Sequence, residues 1–230
     1  MSTASLTIEV TNRPHGTSIQ HEIEAAINDL MASLPKAAGL SADQRRGIIA
    51  RYTSVLEGNF IYWMTGALLA VRTEPARAII LDNLLEEVRD SHPHMLRKFA
   101  LAAHALPTDL DAMDVYRDLT KVRLFLGQLS AVRIIAMMAF FEGFIQRFMA
   151  YLADLAERQG STELEYTDVH GVCDIAHTEG LFRALEAEMI LDPSDLPADQ
   201  FEGVSLLRTL LRTIVDPTGT EKTLSQFAGH

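Results

Sequence analysis

Apolar residues recur at intervals of three and four along almost all of the 230 residues, which is the spacing of amphipathic helices. Only the short run from Leu6 to Val10 alternates in the way that a strand does. The pattern therefore predicts an all-α fold, with one domain of about seven helices. The predicted helices cover residues 18–36, 42–72, 75–105, 108–158 with a break near Gly127, 163–190 and 197–214.

Residues that typically end or begin helices lie between these segments. Pro35 and Gly39 follow the first helix, and Ser41 or Asp43 is suited to cap the second. Thr73 is suited to cap the third helix, because a proline stands in the first turn after it. The predicted organisation is a flexible N-terminal tail, a helical domain and a C-terminal tail, at residues 1–17, 18–215 and 216–230.

The charge of the chain bears on its partners. The formal net charge is −11, and no run of lysine and arginine is present. We therefore expect no nucleic-acid partner and no attraction to anionic lipid surfaces. The most apolar window, residues 131–149, is interrupted by Arg133, Glu142 and Arg147, which favours a buried core helix over a membrane span.

The cysteine content indicates which cellular compartment the protein occupies. Cys173 is the single cysteine, so an internal disulfide framework is excluded and a reducing compartment is favoured. The first residues lack the basic start and apolar run of a secretory signal. These features predict a cytoplasmic protein.

Residues 169–180, VHGVCDIAHTEG, contain His170, Asp174 and His177. A helix turns by about 100° per residue, so Asp174 lies about 40° and His177 about 20° from His170 around the axis. A lone histidine is most often a core or surface residue, but here two imidazoles and a carboxylate share one helix face. That set suits iron, manganese or zinc.

Glu142 lies in a segment that is apolar on nearly every face, residues 136–148. It is therefore predicted to be buried, which is costly unless the carboxylate is paired or binds a metal. Arg133 and Arg147 are its candidate ion-pair partners. Arg147 lies about 140° around the helix from Glu142 and is a poor partner within the same helix.

Residues 82–99, DNLLEEVRDSHPHMLRKF, supply a third set of candidate ligands. Glu87 lies at the edge of an apolar face, whereas Glu86 points further outward. His94 follows Glu87 at seven residues and shares its face in a regular helix. His92 would take that place instead if Pro93 kinks the helix or accompanies a bulge. Helical spacing favours His94, and His92 is the alternative.

Together these stretches offer three carboxylates and three imidazoles, all on predicted helices. Helical bundles build dinuclear iron or manganese centres from inward-facing carboxylates and histidines of this kind. The three stretches thus predict one dinuclear metal centre rather than three unrelated polar faces.

With these motifs, the chain resembles the haem-oxygenase-like diiron oxidases and oxygenases over roughly residues 18–190. The resemblance rests on D-N-L-x-x-E (Asp82 to Glu87) with a following histidine and L-x-x-F (Leu96 to Phe99), on the lone Glu142, and on H-x-x-x-D-x-x-H. It implies a haem-oxygenase-like helical bundle. It also implies one iron held by His94 or His92, Glu142 and His170, and a second held by Glu87, Asp174 and His177. Family members often have proline directly after the first histidine, as in His92-Pro93, so this ligand stays open between the two histidines.

The resemblance further implies an activity. Two ferrous ions would together deliver electrons to O₂ and give a bridging peroxide. An external electron donor would return the irons to the ferrous state. The expected reaction is N-oxygenation of a small amine in the biosynthesis of a specialised metabolite. The alternative is oxidative C–C cleavage of an amino or fatty acid by the same centre. The expected partner is a small-molecule substrate, and the apolar content is compatible with a homodimer.

Other hypotheses predict different residues. A haem enzyme on the same fold would use a histidine of the first helix, for which His21 is the candidate, but it would leave the three carboxylates unexplained. A thiaminase of the TenA type would need a nucleophilic cysteine, and Cys173 lies about 100° from the face of His170. A helical binding protein without enzymatic activity would use these polar faces only as charged surface.

Overall fold

The computed structural model describes residues 15–191 and 199–218, and for residues 15–18 and 172–174 it describes the backbone alone. Within these ranges the protein contains eight α-helices, one short 3₁₀ helix and no strand. The predicted all-α class is confirmed, with eight α-helices rather than about seven. The possible strand at Leu6 to Val10 lies outside the described residues. The helices are α1 (His15–Ala32), the 3₁₀ helix (Ala37–Gly39), α2 (Ala42–Ala70), α3 (Glu74–Arg89), α4 (His92–Ala102), α5 (Asp109–Leu126), α6 (Ala131–Glu157), α7 (Glu165–Leu191) and α8 (Glu202–Val215).

The additional helix arises because the predicted helix 75–105 is two helices. Between α3 and α4, Ser91 has a φ of 56° and adopts the left-handed conformation, which a continuous right-handed helix does not contain. Pro93 then lies in the first turn of α4, where its missing N–H costs no helical hydrogen bond. The predicted break near Gly127 is confirmed, since α5 ends at Leu126 and Gly127 is its C-cap.

The helix starts follow local chemistry that the sequence predicted. The Ser41 hydroxyl accepts a hydrogen bond from the Gln44 N–H, and the Gln44 side chain accepts one from the Ser41 N–H. The Thr73 hydroxyl accepts from the Ala76 N–H at the start of α3. These caps satisfy backbone donors that the first helical turn leaves without intrahelical partners.

Helix α6 forms the centre of the core and packs against α1, α2, α7 and α8. Among the described helices it alone has the length and composition to cross a membrane, yet 78% of its most apolar window is buried inside the fold. This is the arrangement of a core helix, as the charges within the window predicted.

Three packing contacts bring the candidate site together, because α3, α4 and α6 all pack against α7. The start of α3 is fixed to α7 by Glu188, a carboxylate with no exposed surface. Its Oε1 accepts hydrogen bonds from the Arg72 and Thr73 N–H groups at 2.9 and 2.7 Å and from the Thr73 hydroxyl at 2.8 Å. This buried anion at a helix N-terminus also interacts favourably with the helix dipole, so it holds α3 in a defined position on α7.

Candidate metal centre

Three buried side chains from three helices meet between α3, α4 and α7. Glu87 lies near the end of α3, His92 at the start of α4 and His170 on α7, each with at most 5% of its surface exposed. Their potential ligand atoms all lie within 4.8 Å of one another. The Oε1 atom of Glu87 is 2.7 Å from Nδ1 of His92 and 3.9 Å from Nε2 of His170. We refer to Glu87, His92 and His170 as the buried triad.

The structure places His92 in the triad and leaves His94 exposed. This corrects the expectation that His94 faces Glu87, which assumed one regular helix. The left-handed Ser91 interrupts that helix, so the helical count from Glu87 no longer applies. The alternative residue, His92, is the one that contacts Glu87.

The ring of His170 is held in one orientation by its own helix. Its Nδ1 lies 2.8 Å from the carbonyl oxygen of Tyr166, which can only accept a hydrogen bond, so Nδ1 carries the proton. Nε2 is then the unprotonated nitrogen, and it lies 3.9 Å from Oε1 of Glu87. The Tyr166 ring packs against that of His170 at 4.3 Å, and its hydroxyl lies 2.8 Å from the hydroxyl of Tyr52. Such anchoring of one ring nitrogen is typical of metal-ligating histidines.

A second group of side chains surrounds His177, two turns further along α7. Its Nδ1 lies 3.8 Å from Oε2 of Glu142, and its Nε2 lies 3.2 Å from Oε2 of Glu86. Glu142 and His177 are buried, at 3% and 6% exposure, as the sequence predicted for Glu142. Neither predicted arginine partner serves Glu142, because Arg133 contacts Glu202 and Arg147 contacts Asn28.

Glu86 is the residue that sequence reasoning missed. Its side chain is 31% exposed, in keeping with the outward position predicted for it, yet its carboxylate reaches His177 across the α3–α7 contact. A signal was present, since two consecutive glutamates on α3 precede the histidine of α4. Only the packing of α3 on α7 shows that both carboxylates meet histidines.

The predicted ligand Asp174 lies in α7 between His170 and His177, and its side chain is outside the described residues. The side chain of Cys173 is likewise outside them. Of the predicted ligands, the structure brings together Glu87, His92 and His170, and places Glu142 beside His177. The role of Asp174 as a metal ligand stays a prediction.

Burial and the neighbouring carboxylates together set the protonation of the three histidines. Burial lowers the pKa of His170 to about 4, against the opposing effect of Glu87. Burial also lowers the pKa of His177, but the carboxylates of Glu142 and Glu86 outweigh it and raise the pKa to about 9. For His92, burial is likewise outweighed by Glu87, and the pKa rises. The carboxylates beside His92 and His177 therefore favour a cation there, whether a proton or a metal ion, and His170 stays neutral, which is the form that binds a metal.

The donor set of the buried triad fits a metal ion such as iron. Imidazole nitrogen and carboxylate oxygen together suit iron, manganese and zinc. A buried carboxylate between two imidazoles is costly unless a cation compensates its charge, and a metal ion would do so without protonating either ring. We therefore identify the triad, with Glu142 and His177 beside it, as the candidate metal centre.

A small cavity of about 30 Å³ opens beside the triad. This volume holds about one water molecule. Glu87, His92, His170 and Glu142 form its polar side, and Phe141 belongs to its apolar side. Four neighbouring apolar residues of α6 belong to the core and do not line the cavity: Met137, Met138, Phe140 and Phe144. The candidate haem ligand His21 is exposed on α1.

The sequence profile of a protein family matches residues 49–209, which is more than half of the chain. That family is described as iron-containing redox enzymes, and its match spans every residue of the candidate metal centre. No curated protein matches the chain at a significant level. With the all-helical fold and the buried histidine and glutamate ligand set, the match shows that this chain belongs to the iron-containing redox enzymes of the haem-oxygenase-like superfamily.

Proposed function

We propose that the protein is a non-haem diiron oxygenase that uses O₂ and an external electron donor to oxygenate the nitrogen of a small amine. The observation that carries the proposal is the buried triad, in which one carboxylate and two imidazoles from three helices lie within 4.8 Å of one another. Glu142 and His177 lie next to it, which gives enough donors for a second ion.

The surroundings of the triad favour non-haem iron over haem. The cavity beside the triad has a volume of about 30 Å³, far below that of a porphyrin. His21, the residue that the haem hypothesis needs, is exposed on α1. A haem enzyme would also have no use for the buried carboxylates Glu87 and Glu142.

The residues of the site have separate tasks in this proposal. Glu87, His92 and His170 would hold one iron, and Glu142 and His177, with the predicted ligand Asp174, would hold the other. This grouping follows the distances and differs from the one that the resemblance implied, where Glu87 and Glu142 were exchanged. Bound iron(II) would supply the electrons that reduce O₂.

Apolar side chains form most of the wall of the cavity beside the ligands. Leu56, Phe60, Phe141 and Ile145 are buried and line the cavity together with the ligands. Apolar walls favour a substrate with little charge near the iron. The choice of an amine rests on the family resemblance, and the site chemistry is compatible with it.

The test begins with metal-free protein that is reconstituted anaerobically with iron(II) and then mixed with O₂ and a panel of small amines. We expect about two irons per chain, a transient absorption band and a hydroxylamine, nitroso or nitro product. Asp174→Ala should lose iron and product. The matched control Asp168→Ala removes an exposed aspartate of the same helix and should behave as the wild type.

Two results would contradict the proposal. If Asp174→Ala binds as much iron as the wild type, Asp174 is not a ligand of the centre. Amines that stay unchanged while an amino or fatty acid is cleaved to an alkene or aldehyde would replace N-oxygenation with C–C cleavage as the reaction.

A further inference from the structure

We propose that Glu86 is a positioning residue of the metal centre, which orients His177 by accepting a hydrogen bond from its Nε2. The inference rests on the proposed diiron function and adds a residue that neither the sequence motifs nor the family match assigns. Its basis is the 3.2 Å distance between Nε2 of His177 and Oε2 of Glu86.

The geometry of two helices explains why consecutive glutamates serve different histidines. Neighbouring residues on a helix diverge by about 100°, so Glu86 and Glu87 leave α3 in different directions. His170 and His177 are seven residues apart, which separates them by about 10 Å along one face of α7. Since α3 packs on α7, Glu87 approaches His170 and Glu86 approaches His177.

The two nitrogens of His177 face different surroundings. Nδ1 faces Glu142, which is 3% exposed and lines the cavity beside the triad. Nε2 faces Glu86, whose side chain is 31% exposed. The nitrogen on the cavity side is the one that can bind an ion shared with the buried carboxylates, and the other nitrogen then donates its proton to Glu86.

A carboxylate that accepts the free N–H of a ligating histidine fixes the tautomer and the ring orientation and makes the ligand more basic. Loss of such a partner typically weakens metal binding about 10–100-fold. Within this centre, His170 has an equivalent anchor in the carbonyl oxygen of Tyr166. Glu86 would give His177 the anchor that His170 receives from its own helix.

The experiment titrates metal-free protein with cobalt(II) and follows its visible absorption. The wild type should bind two ions, and Glu86→Ala should bind one of them about 10–100-fold more weakly. Glu86→Gln keeps an oxygen that accepts a hydrogen bond, so its loss should be smaller. The matched control Glu179→Ala removes an exposed glutamate two residues after His177 and should bind both ions as the wild type does.

A second readout identifies the ligating nitrogen. In protein loaded with zinc(II), ¹H–¹⁵N correlations of the histidine rings should show His177 bound through Nδ1, with a slowly exchanging proton on Nε2. That proton should exchange faster in Glu86→Ala. A purely structural role for Glu86 would change stability without changing this signal.

The outcomes separate this inference from the proposed function. Fewer than two ions in the wild type would refute the diiron function and the inference with it. Two ions that the wild type and Glu86→Ala bind equally well would refute the inference alone. Binding of the metal through Nε2 of His177 would also refute it, because Glu86 would then face the metal and not the free N–H.

Discussion

His92 and His94 stand two residues apart in opposite environments. His92 is 3% exposed and contacts Glu87, whereas His94 is exposed. The sequence alone could not decide between them. A regular helix would place His94 beside Glu87, whereas a kink or bulge at Pro93 would place His92 there. The choice depends on the backbone at Ser91, where Pro93 indicated a possible kink but did not decide it.

This difference gives a matched pair of substitutions. We expect His92→Ala to lose most of the bound iron, because it removes one of three donors from the buried triad. His94→Ala should retain the iron content of the wild type. Iron per chain after anaerobic reconstitution measures both, with circular dichroism as the check that each variant is folded. If His92→Ala retains as much iron as His94→Ala, His92 does not bind the metal and the triad is not the metal centre.

The protonation of His177 makes the stability of the metal-free protein depend on pH. Its pKa is about 9 in the folded protein and about 6.5 when unfolded, so the folded state holds the proton more tightly. The stabilisation from the imidazolium is therefore complete below pH 6.5 and is lost as the pH rises through 9. The free energy of unfolding of the wild type, relative to His177→Gln, should fall by about 1–3 kcal/mol between pH 6.5 and pH 10.

Urea unfolding of both metal-free proteins at several pH values measures this difference. A difference that stays constant from pH 6.5 to pH 10 would contradict the raised pKa. Bound metal should abolish the effect, because the ion replaces the proton on the ring.

At the scale of the helices, the position of α3 determines where Glu86 and Glu87 stand. Its N-terminus is held by Glu188 of α7 through three hydrogen bonds. Glu188→Ala would leave two backbone N–H groups and one hydroxyl without this acceptor in a partly buried place. We expect a loss of roughly 3 kcal/mol in the free energy of unfolding, together with weaker metal binding as α3 moves.

Chemical denaturation and a metal titration measure the two effects. Glu186→Ala, an exposed glutamate two residues earlier on α7, is the control and should change either quantity little. If Glu188→Ala loses less than about 0.5 kcal/mol, the carboxylate does not anchor α3.

At the scale of the whole molecule, α8 closes the bundle against α5 and α6. Gly203 permits this contact. A Cβ atom at that position would lie 2.6 Å from the Phe125 ring and 2.9 Å from Cβ of Met137. The contact therefore depends on a missing side chain, and packing in the interior leaves little room for adjustment.

We expect Gly203→Ala to destabilise the protein by about 1–3 kcal/mol, because the added methyl group forces α8 away from the core. The thermal unfolding midpoint measures the effect. Gly58→Ala is the control, since a Cβ atom there meets nothing within 4 Å and alanine favours the helix. Equal midpoints for Gly203→Ala and the wild type would show that α8 packs less tightly than described.

The local features of this protein follow from its sequence. Helical spacing, the caps at Ser41 and Thr73 and the break at Gly127 depend on neighbouring residues, and the structure confirms each. The shared face of His170 and His177 follows from the rotation per residue, which is a property of any helix. The burial of Glu142 also followed from the apolar residues around it.

Only the tertiary structure decided how these faces meet. The left-handed Ser91 turned His92 inward, the capping of α3 by Glu188 fixed α3 on α7, and that contact brought Glu86 to His177. The hydrogen bond from Arg72 to Glu188, for example, joins residues 116 positions apart in the chain. A contact of this kind depends on the relative position of two helices, and the residues of either helix alone do not determine it.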